Sequence, residues 1–374
     1  MQGKSNGKYP FCKVSDVSWA VAENGGLLDE AANFVGDEEL LQLRAKSIPT
    51  GATVFAKIGE GLRLNRRAYV QRECIIDNNV AGLKAIDGIA DDYFVFLLSQ
   101  LIDLNNYCGG AVPSVNKSTL EAIEIVVPSY AEQLKIADCL LSLDELIAAQ
   151  GRKVEALKTY KRGLMQQLFP REGETLPRLR FPEFRDAPEW EEVKAGTLFA
   201  NRSERGHDSL PIYSVTMTEG LVRRSSLDRR IDDLAEASGN KKVHRHDIAY
   251  NMMRMWQGAC GVASEECMVS PAYVVLSPQP GVHSPFYGYF FKLPHMLRVL
   301  TSHSRGLTED RLRLYYLDFS RIPLPQPDVR EQARIADCLS AVDAQVSIEA
   351  ENLQVLKTHK HGLMQQMFPP PSEA

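Results

Sequence analysis

Two stretches of the chain place an apolar residue at alternating steps of four and three. From Ile136 the seam runs through Leu140, Leu143, Ile147, Gln150, Val154, Leu157, Lys161, Leu164 and Leu168. From Ile335 it runs through Leu339, Val342, Val346, Glu349, Leu353, Leu356, Lys360, Leu363 and Met367. The polar rungs fall at the same two places in both seams, the fifth and the eighth. A mean spacing of about 3.5 residues predicts long helices that each pack a seam against a partner helix, with the polar rungs setting register. About 38 residues at 1.5 Å each make a rod of roughly 57 Å. Phe169-Pro170 and Phe368-Pro369 end the two rods, since proline cannot continue a helix. Gly163 and Gly362 each cost about 1 kcal/mol relative to alanine in a helix, which predicts a close helix approach or a bend there. The competing reading is a plain core helix covering its own domain.

The two stretches are copies of one another. Residues 132–170 match 331–369 without a gap, at an offset of 199, with 19 of 39 positions identical. The likeness continues upstream more weakly: residues 123–128 align with 322–327 at the same offset, Glu73-Cys74 resembles Glu266-Cys267, and Tyr9-Pro10-Phe11 resembles Leu210-Pro211-Ile212. Ahead of each helix the pattern changes to short β-rich runs at 52–56, 74–76, 123–127 and 272–276, separated by Gly, Asn and Pro. Candidate shorter helices lie at 91–102 and 285–300. The division expected is a first globular domain over 1–130, a helix over 131–170, a Pro- and charge-rich linker over 171–184, a second globular domain over 185–328 and a helix over 329–370.

Composition narrows the class. The chain has 374 residues, 44% apolar and 24% charged, in the range of globular proteins. Seven scattered cysteines form no C-x-x-C pair, which predicts a reduced, cytoplasmic protein rather than a disulfide scaffold or a zinc ribbon. The start has no apolar signal region, and no apolar run approaches the roughly 18 residues of a membrane span. A phosphate-binding G-x-x-x-x-G-K loop, an H-E-x-x-H zinc motif and a G-x-S-x-G elbow are all missing from the sequence. All eight histidines fall in the second half, so no ancestral metal site was duplicated, and the His244-Arg-His246 triplet reads as a solvated loop.

The residue types that read nucleic acid are clustered in matching places. Arg and Lys suit guanine, Asn and Gln suit adenine, and further basic groups suit phosphate. In the first domain the loop after a predicted strand carries Lys57, Arg63, Asn65, Arg66 and Arg67, and a second loop carries Ser114, Asn116 and Lys117. In the second domain the corresponding loops carry Asn251, Arg254, Trp256 and Gln257, then Arg305, Thr308, Arg311 and Arg313. Trp256 is a candidate to pack on a base or sugar, or a core residue among methionines. Arg223-Arg224 and Lys241-Lys242 are weaker backbone-contact candidates, and any of these clusters has the bland alternative of a solvated charged face.

The tandem of variable domains, the two helices ending G-L-M-Q-Q-x-F-P, the E-Q-x-x-I-A-x-x-L at each helix start, and R-L-R-F-P-E-F followed by Trp190 resemble the specificity (S) subunits of type I restriction-modification enzymes. The resemblance covers essentially the whole chain and is specific in the helices and linker. It implies an α+β fold: two mixed α/β target-recognition domains in pseudo-twofold arrangement, separated by two long antiparallel coiled-coil helices. It implies a non-catalytic subunit that reads a bipartite double-stranded DNA site, one half per domain. The helices would set the spacer and dock two methyltransferase (M) subunits, and restriction motor-nuclease (R) subunits would join the complex. S-adenosylmethionine belongs to the M subunit, so this chain is expected to bind no cofactor and no metal, and it lacks the N-P-P-Y or D-P-P-Y signature of adenine-N6 enzymes. The alternatives are a half-specific or silent S subunit, and a coiled-coil adaptor that binds only proteins.

Aligning Pro211 with Pro10 puts the counterpart of residues 181–209 ahead of residue 1. Family members normally begin with such a segment, so the first domain is expected to be shortened at its start. A smaller departure is Val193-Lys-Ala-Gly196, where the family more often has Leu-Gly. Charge divides along the same line: residues 1–130 hold 12 basic against 16 acidic groups, residues 199–316 hold 15 against 12, and the whole chain is net −5.

Overall fold

The computed structural model describes residues 4–43, 45–109, 111–217, 219–227, 239–308 and 311–368. The chain divides into two compact units, Met1–Val154 with Glu349–Ala374, and Glu155–Ile348. Both long helices, Tyr130–Leu168 and Val329–Met367, have 39 residues. Each helix contributes residues to both units. Every seam rung from Ile136 to Leu168 and from Ile335 to Met367 is buried or half-buried, and none is exposed.

In the first unit a four-stranded sheet has the order Leu27–Leu28, Ala68–Val70, Thr53–Ala56, Val80–Leu83. Its central strand, Thr53–Ala56, is buried at every residue. A smaller sheet pairs Tyr9–Cys12 with Phe34–Val35 and, in parallel, with Ile75–Ile76. The helix Asp92–Leu101 starts where Asp91 accepts the Phe94 N–H at 2.8 Å, a side-chain N-cap. Its apolar face packs on Ile136, Ala137 and Leu140 of the first long helix and on Met364 and Phe368 of the second. Phe94 and Phe368 stack with centroids 5.1 Å apart. The two helix segments run antiparallel, with Asp144 facing Lys360 and Gln150 facing Glu349.

The second unit repeats the plan. Its four-stranded sheet has the order Cys260–Val262, Ile248–Asn251, Tyr273–Pro278, Phe199–Arg202. The helix expected over 285–300 is two helices, Ser284–Phe290 and Pro294–Ser302. Pro294 cannot donate the N–H that would continue the first, and it opens the second instead. Phe169, Trp190, Phe286 and Phe290 join Ile335, Ala336 and Leu339 in one core. Lys161 faces Asp343 at 2.5 Å, so the helix segments of this unit are antiparallel as well.

Three details separate the structure from the sequence reading. The helices run unbroken through Gly163 and Gly362, and nothing lies within 4 Å of where a Cβ would stand, so close approach does not explain these glycines. The β-rich run 123–127 is not a strand, whereas its counterpart Pro323–Gln326 is, because only the latter has a partner, Glu191–Lys194. The shared Glu-Gln at the helix starts has a definite role for glutamine. Buried Gln133 donates to the Ile89 and Pro128 carbonyls and accepts from the Asp91 N–H. Buried Gln332 donates to the Gly281 and Pro327 carbonyls and accepts from the His283 N–H.

Candidate nucleic-acid interface

Each unit holds two loops together by the same hydrogen bond. In the first, the chain leaving the strand Thr53–Ala56 gives its Lys57 carbonyl to the Val115 N–H at 2.9 Å. In the second, the chain leaving Ile248–Asn251 gives its Met252 carbonyl to the Leu314 N–H, also at 2.9 Å. The second loop of each pair closes on itself through a bridge, Gly109 to Ser114 and Arg305 to Arg313. Ile58 also bridges to Ser114, and the Gly59 N–H donates to the Pro113 carbonyl at 2.8 Å. Residues far apart in sequence, 57–67 with 114–117 and 251–257 with 305–313, thus come to one edge of each unit.

Within the first unit the candidates divide in two. Arg63 is exposed with its guanidinium 3.4 Å from Glu60, and Lys117 is exposed with Glu121 at 3.5 Å. Such surface pairs contribute little and exchange readily for a phosphate. Lys57 and Arg66 are half-buried. Asn116 is exposed and caps the helix Lys117–Glu121, its Oδ1 accepting from the Thr119 N–H at 2.9 Å.

Asn65 and Arg67 are committed to the fold. Asn65 sits in the left-handed region at φ 50°, its Oδ1 accepting from the Leu104 N–H and from Arg67, both at 3.0 Å. Arg67 is only 4% exposed, donates to the Ile102 carbonyl at 3.1 Å and lies over the Phe55 ring. Burial lowers its pKa to about 10, so removal from water dominates its electrostatics.

In the second unit the two loops present a denser set. Asn251 ends its strand and caps the turn, accepting from the Met253 N–H at 2.9 Å. Arg254 is exposed, Gln257 and Trp256 are half-buried, and Met255 between them is fully buried. The Trp256 indole N–H donates to the Met253 carbonyl at 3.1 Å, which holds the ring against its own loop. Gly258 at φ 86° turns the chain into the next strand, a conformation that favours glycine. Arg305, Arg311 and Arg313 line a surface depression with Gly306, Tyr315 and Leu317. Arg305 donates to Asp318 at 2.6 Å, which raises its pKa, whereas Arg311 and Arg313 have no ion pair among the described residues. Thr308 is exposed and accepts the Arg311 N–H through its carbonyl at 2.9 Å.

Sequence reasoning did not single out Tyr315 and Leu317. The signal lay in the alternation from Arg311 to Tyr315, where Leu312 and Leu314 turn in and their neighbours turn out. The weaker basic candidates are engaged elsewhere: Arg223 pairs with Glu265 at 2.6 Å, and Lys241 donates to the Tyr273 carbonyl. Lys242 lies 3.6 and 3.5 Å from Glu204 and Glu266, which also flank His244. Among the described residues no group of three or more His, Cys, Asp or Glu is placed to hold a metal ion. No helix among them is long and apolar enough to cross a membrane.

Each unit thus joins an α+β domain and a basic loop pair to antiparallel segments of the two long helices. The model of the type I restriction modification DNA specificity domain matches residues 2–159 and again 192–358, and the chain belongs to that family. It is 28% identical over 317 residues to the type I restriction enzyme MjaVIII specificity subunit of Methanocaldococcus jannaschii, covering 79% of this chain and 74% of that one. A second relative from that organism, the MjaX protein described as a type I specificity subunit, is 32% identical over 84 residues, 22% of this chain and 20% of that one. The S subunit of a type I restriction-modification system from M. genitalium shares the fold with a TM-score of 0.58 at 13% identity, covering 98% of this chain and 90% of that chain. A chain solved in work on complex assembly and conformational transition of the type I R-M system gives 0.55 at 17% identity, covering 96% and 91%. The protein is thus a DNA-specificity subunit of the type I kind, whose part is recognition and not catalysis.

Proposed function

We propose that this chain reads a bipartite double-stranded DNA site in the cytoplasm, one half with each unit's loop pair, and carries the methyltransferase and restriction subunits of a type I complex. The observation that carries the reading is the repeated loop pair: two diverged copies, each tied by the same carbonyl-to-amide bond, each presenting exposed Arg, Lys, Asn or Gln at one edge. In this reading the base-contacting groups are Asn116 and Lys117 in the first unit and Arg254 and Gln257 in the second. Arg63, Arg66, Arg311 and Arg313 take phosphates, and Asn65 and Arg67 shape the first loop from behind.

The scaffold role rests on the outer faces of the long helices. Off the seam, Leu146, Tyr160, Ile348 and Val355 are all more than half exposed. Large apolar side chains on otherwise polar helices mark surfaces for protein partners. We assign these faces to two M subunits, with R subunits joining them, and S-adenosylmethionine to the M subunit. The test is a binding assay of the chain with its M subunit on a duplex containing the site. Gln257→Ala should relax base preference in one half-site only, while Arg313→Ala should weaken all sequences alike and reduce the salt dependence. Equal loss in both halves from Gln257→Ala would contradict the assignment of one half-site per unit.

A further inference from the structure

The loop pairs of the two units share a feature that is neither basic nor polar. In the first unit Ile58 follows Lys57, whose carbonyl accepts the Val115 N–H, and in the second Met253 follows Met252, whose carbonyl accepts the Leu314 N–H. Ile58 is 38% exposed and Met253 45%. The second loop of each pair carries another apolar side chain into solvent. Val112, between the bridged Gly109 and Ser114, is 59% exposed, and Leu307, between the bridged Arg305 and Arg313, is 99% exposed.

Single exposed apolar residues are ordinary on a protein surface. Equivalent pairs in two diverged copies are not, and packing does not require them, because Val115 and Leu314 at the ties turn inward and supply the core contacts. Identity differs at both positions, Ile against Met and Val against Leu, while apolar character stays. Backbone bonds hold Leu307 out. Arg305 and Arg313 exchange N–H to carbonyl bonds at 2.9 Å, the Arg311 N–H donates to the Thr308 carbonyl at 2.9 Å, and a Cβ on Gly306 would stand 2.6 Å from the Arg311 carbonyl oxygen.

We propose that these apolar pairs read the 5-methyl groups of thymines in the major groove, Ile58 and Val112 in one half-site and Met253 and Leu307 in the other. The inference rests on the reading of the loop pairs as base-contacting. An A·T pair shows the C5-methyl of thymine beside its O4 acceptor, and a G·C pair shows no methyl. An apolar side chain next to a donor matches that edge: Met253 precedes Arg254, and Val112 lies in the loop that leads to Asn116 and Lys117. A wedge between stacked bases is another use of an exposed apolar residue, but the valine side chain ends one carbon beyond Cβ and is too short for it. Exposed Lys117 near Val112, and Arg311 and Arg313 in the loop of Leu307, suit a polyanion rather than an apolar protein surface.

The test replaces each thymine of a selected duplex in turn by deoxyuridine, which keeps O4 and loses only the methyl, and measures binding of the full chain reconstituted with its methyltransferase subunit. Each methyl in contact should be worth about fourfold in affinity, the effect of burying one such group. Leu307→Ala or Met253→Ala should weaken binding of the thymine duplex by a similar factor and abolish the thymine preference at one position of the half-site that Gln257→Ala relaxes. Val112→Ala should do the same in the other half-site. All three side chains are exposed, so their replacement leaves folding intact. A bipartite preference with no deoxyuridine effect, half-sites without an A·T pair, or a thymine preference that survives all three variants would overturn this inference and leave the recognition reading standing. Leu307→Ala that keeps the thymine preference and loses affinity for the methyltransferase subunit would assign the residue to a protein contact and overturn it too. No sequence preference at all would overturn both.

Discussion

Lys360 donates to both oxygens of the Asp144 carboxylate, at 2.6 and 2.7 Å, across the two long helices. The same carboxylate accepts from the Tyr93 hydroxyl. In the second unit Lys161 and Tyr289 meet Asp343 in the same way, so the duplication preserved a complete Tyr-Asp-Lys group and not only its residues. All four Asp and Lys side chains are less than half exposed, which limits solvent screening of these pairs.

The group fixes the helix register. Removing the carboxylate leaves a half-buried ammonium and a hydroxyl without their acceptor, so Asp144→Ala should lower the stability of the first unit by about 1–3 kcal/mol. Tyr93→Phe should cost about 1 kcal/mol, and the two losses should be non-additive because they share a partner. Chemical denaturation of the single and double variants measures this; strictly additive losses would mean that the two contacts are independent.

Gly163 and Gly362 make the opposite prediction. Both lie inside continuous helices with open space where a Cβ would stand. Gly163→Ala and Gly362→Ala should each raise stability by about 1 kcal/mol through helix propensity alone. A destabilised alanine variant would show that a partner approaches there.

Arg67 and Arg313 should separate structure from binding. Arg67→Ala takes one of two donors from both the Ile102 carbonyl and Asn65 Oδ1, removes the packing over Phe55, and should destabilise the first unit by about 2 kcal/mol. Arg313→Ala should leave stability unchanged and lower the slope of log affinity against log salt by about 0.9, one phosphate contact. Circular dichroism with salt-titrated DNA binding distinguishes the two outcomes.

Acid should weaken the second unit first. Burial holds the His283 and His295 imidazoles below the ordinary pKa of 6.5, with Asp337 and Glu172 partly opposing. A base whose folded pKa is depressed takes up more protons when unfolded, so stability rises with pH through the interval below 6.5 and is lost as pH falls through it. Imidazole shifts followed by NMR should give both groups midpoints below 6.5, and unfolding of the second unit should come at lower denaturant at pH 5 than at pH 7.

Much of this was legible in the sequence for a physical reason. A seam must recur every 3.5 residues to stay buried, so Ile136 to Leu168 announces its helix directly, and the polar rungs announce that something polar meets them. Gln150 meets Glu349 at 2.7 Å, two fifth rungs facing one another. Strands were less legible, because pairing decides them: 123–127 is more β-rich than 323–326, and yet only the latter is a strand. The candidate loops stand out by residue type, but type does not reveal direction. Arg66 and Arg67 are neighbours of identical chemistry, and the fold buries only one of them over Phe55. Glu132 and Glu331 likewise share the Gln that follows and the Ile-Ala-Asp-Cys-Leu run, and differ in burial.

The central claim is that the two units read the two halves of one DNA site. The most direct measurement is selection by the chain, reconstituted with its methyltransferase subunit, from a library of randomised duplexes. The account predicts an enriched bipartite sequence with a fixed spacer, one half of which changes when Arg254 or Gln257 is replaced. Enrichment of no sequence at any salt concentration would contradict it.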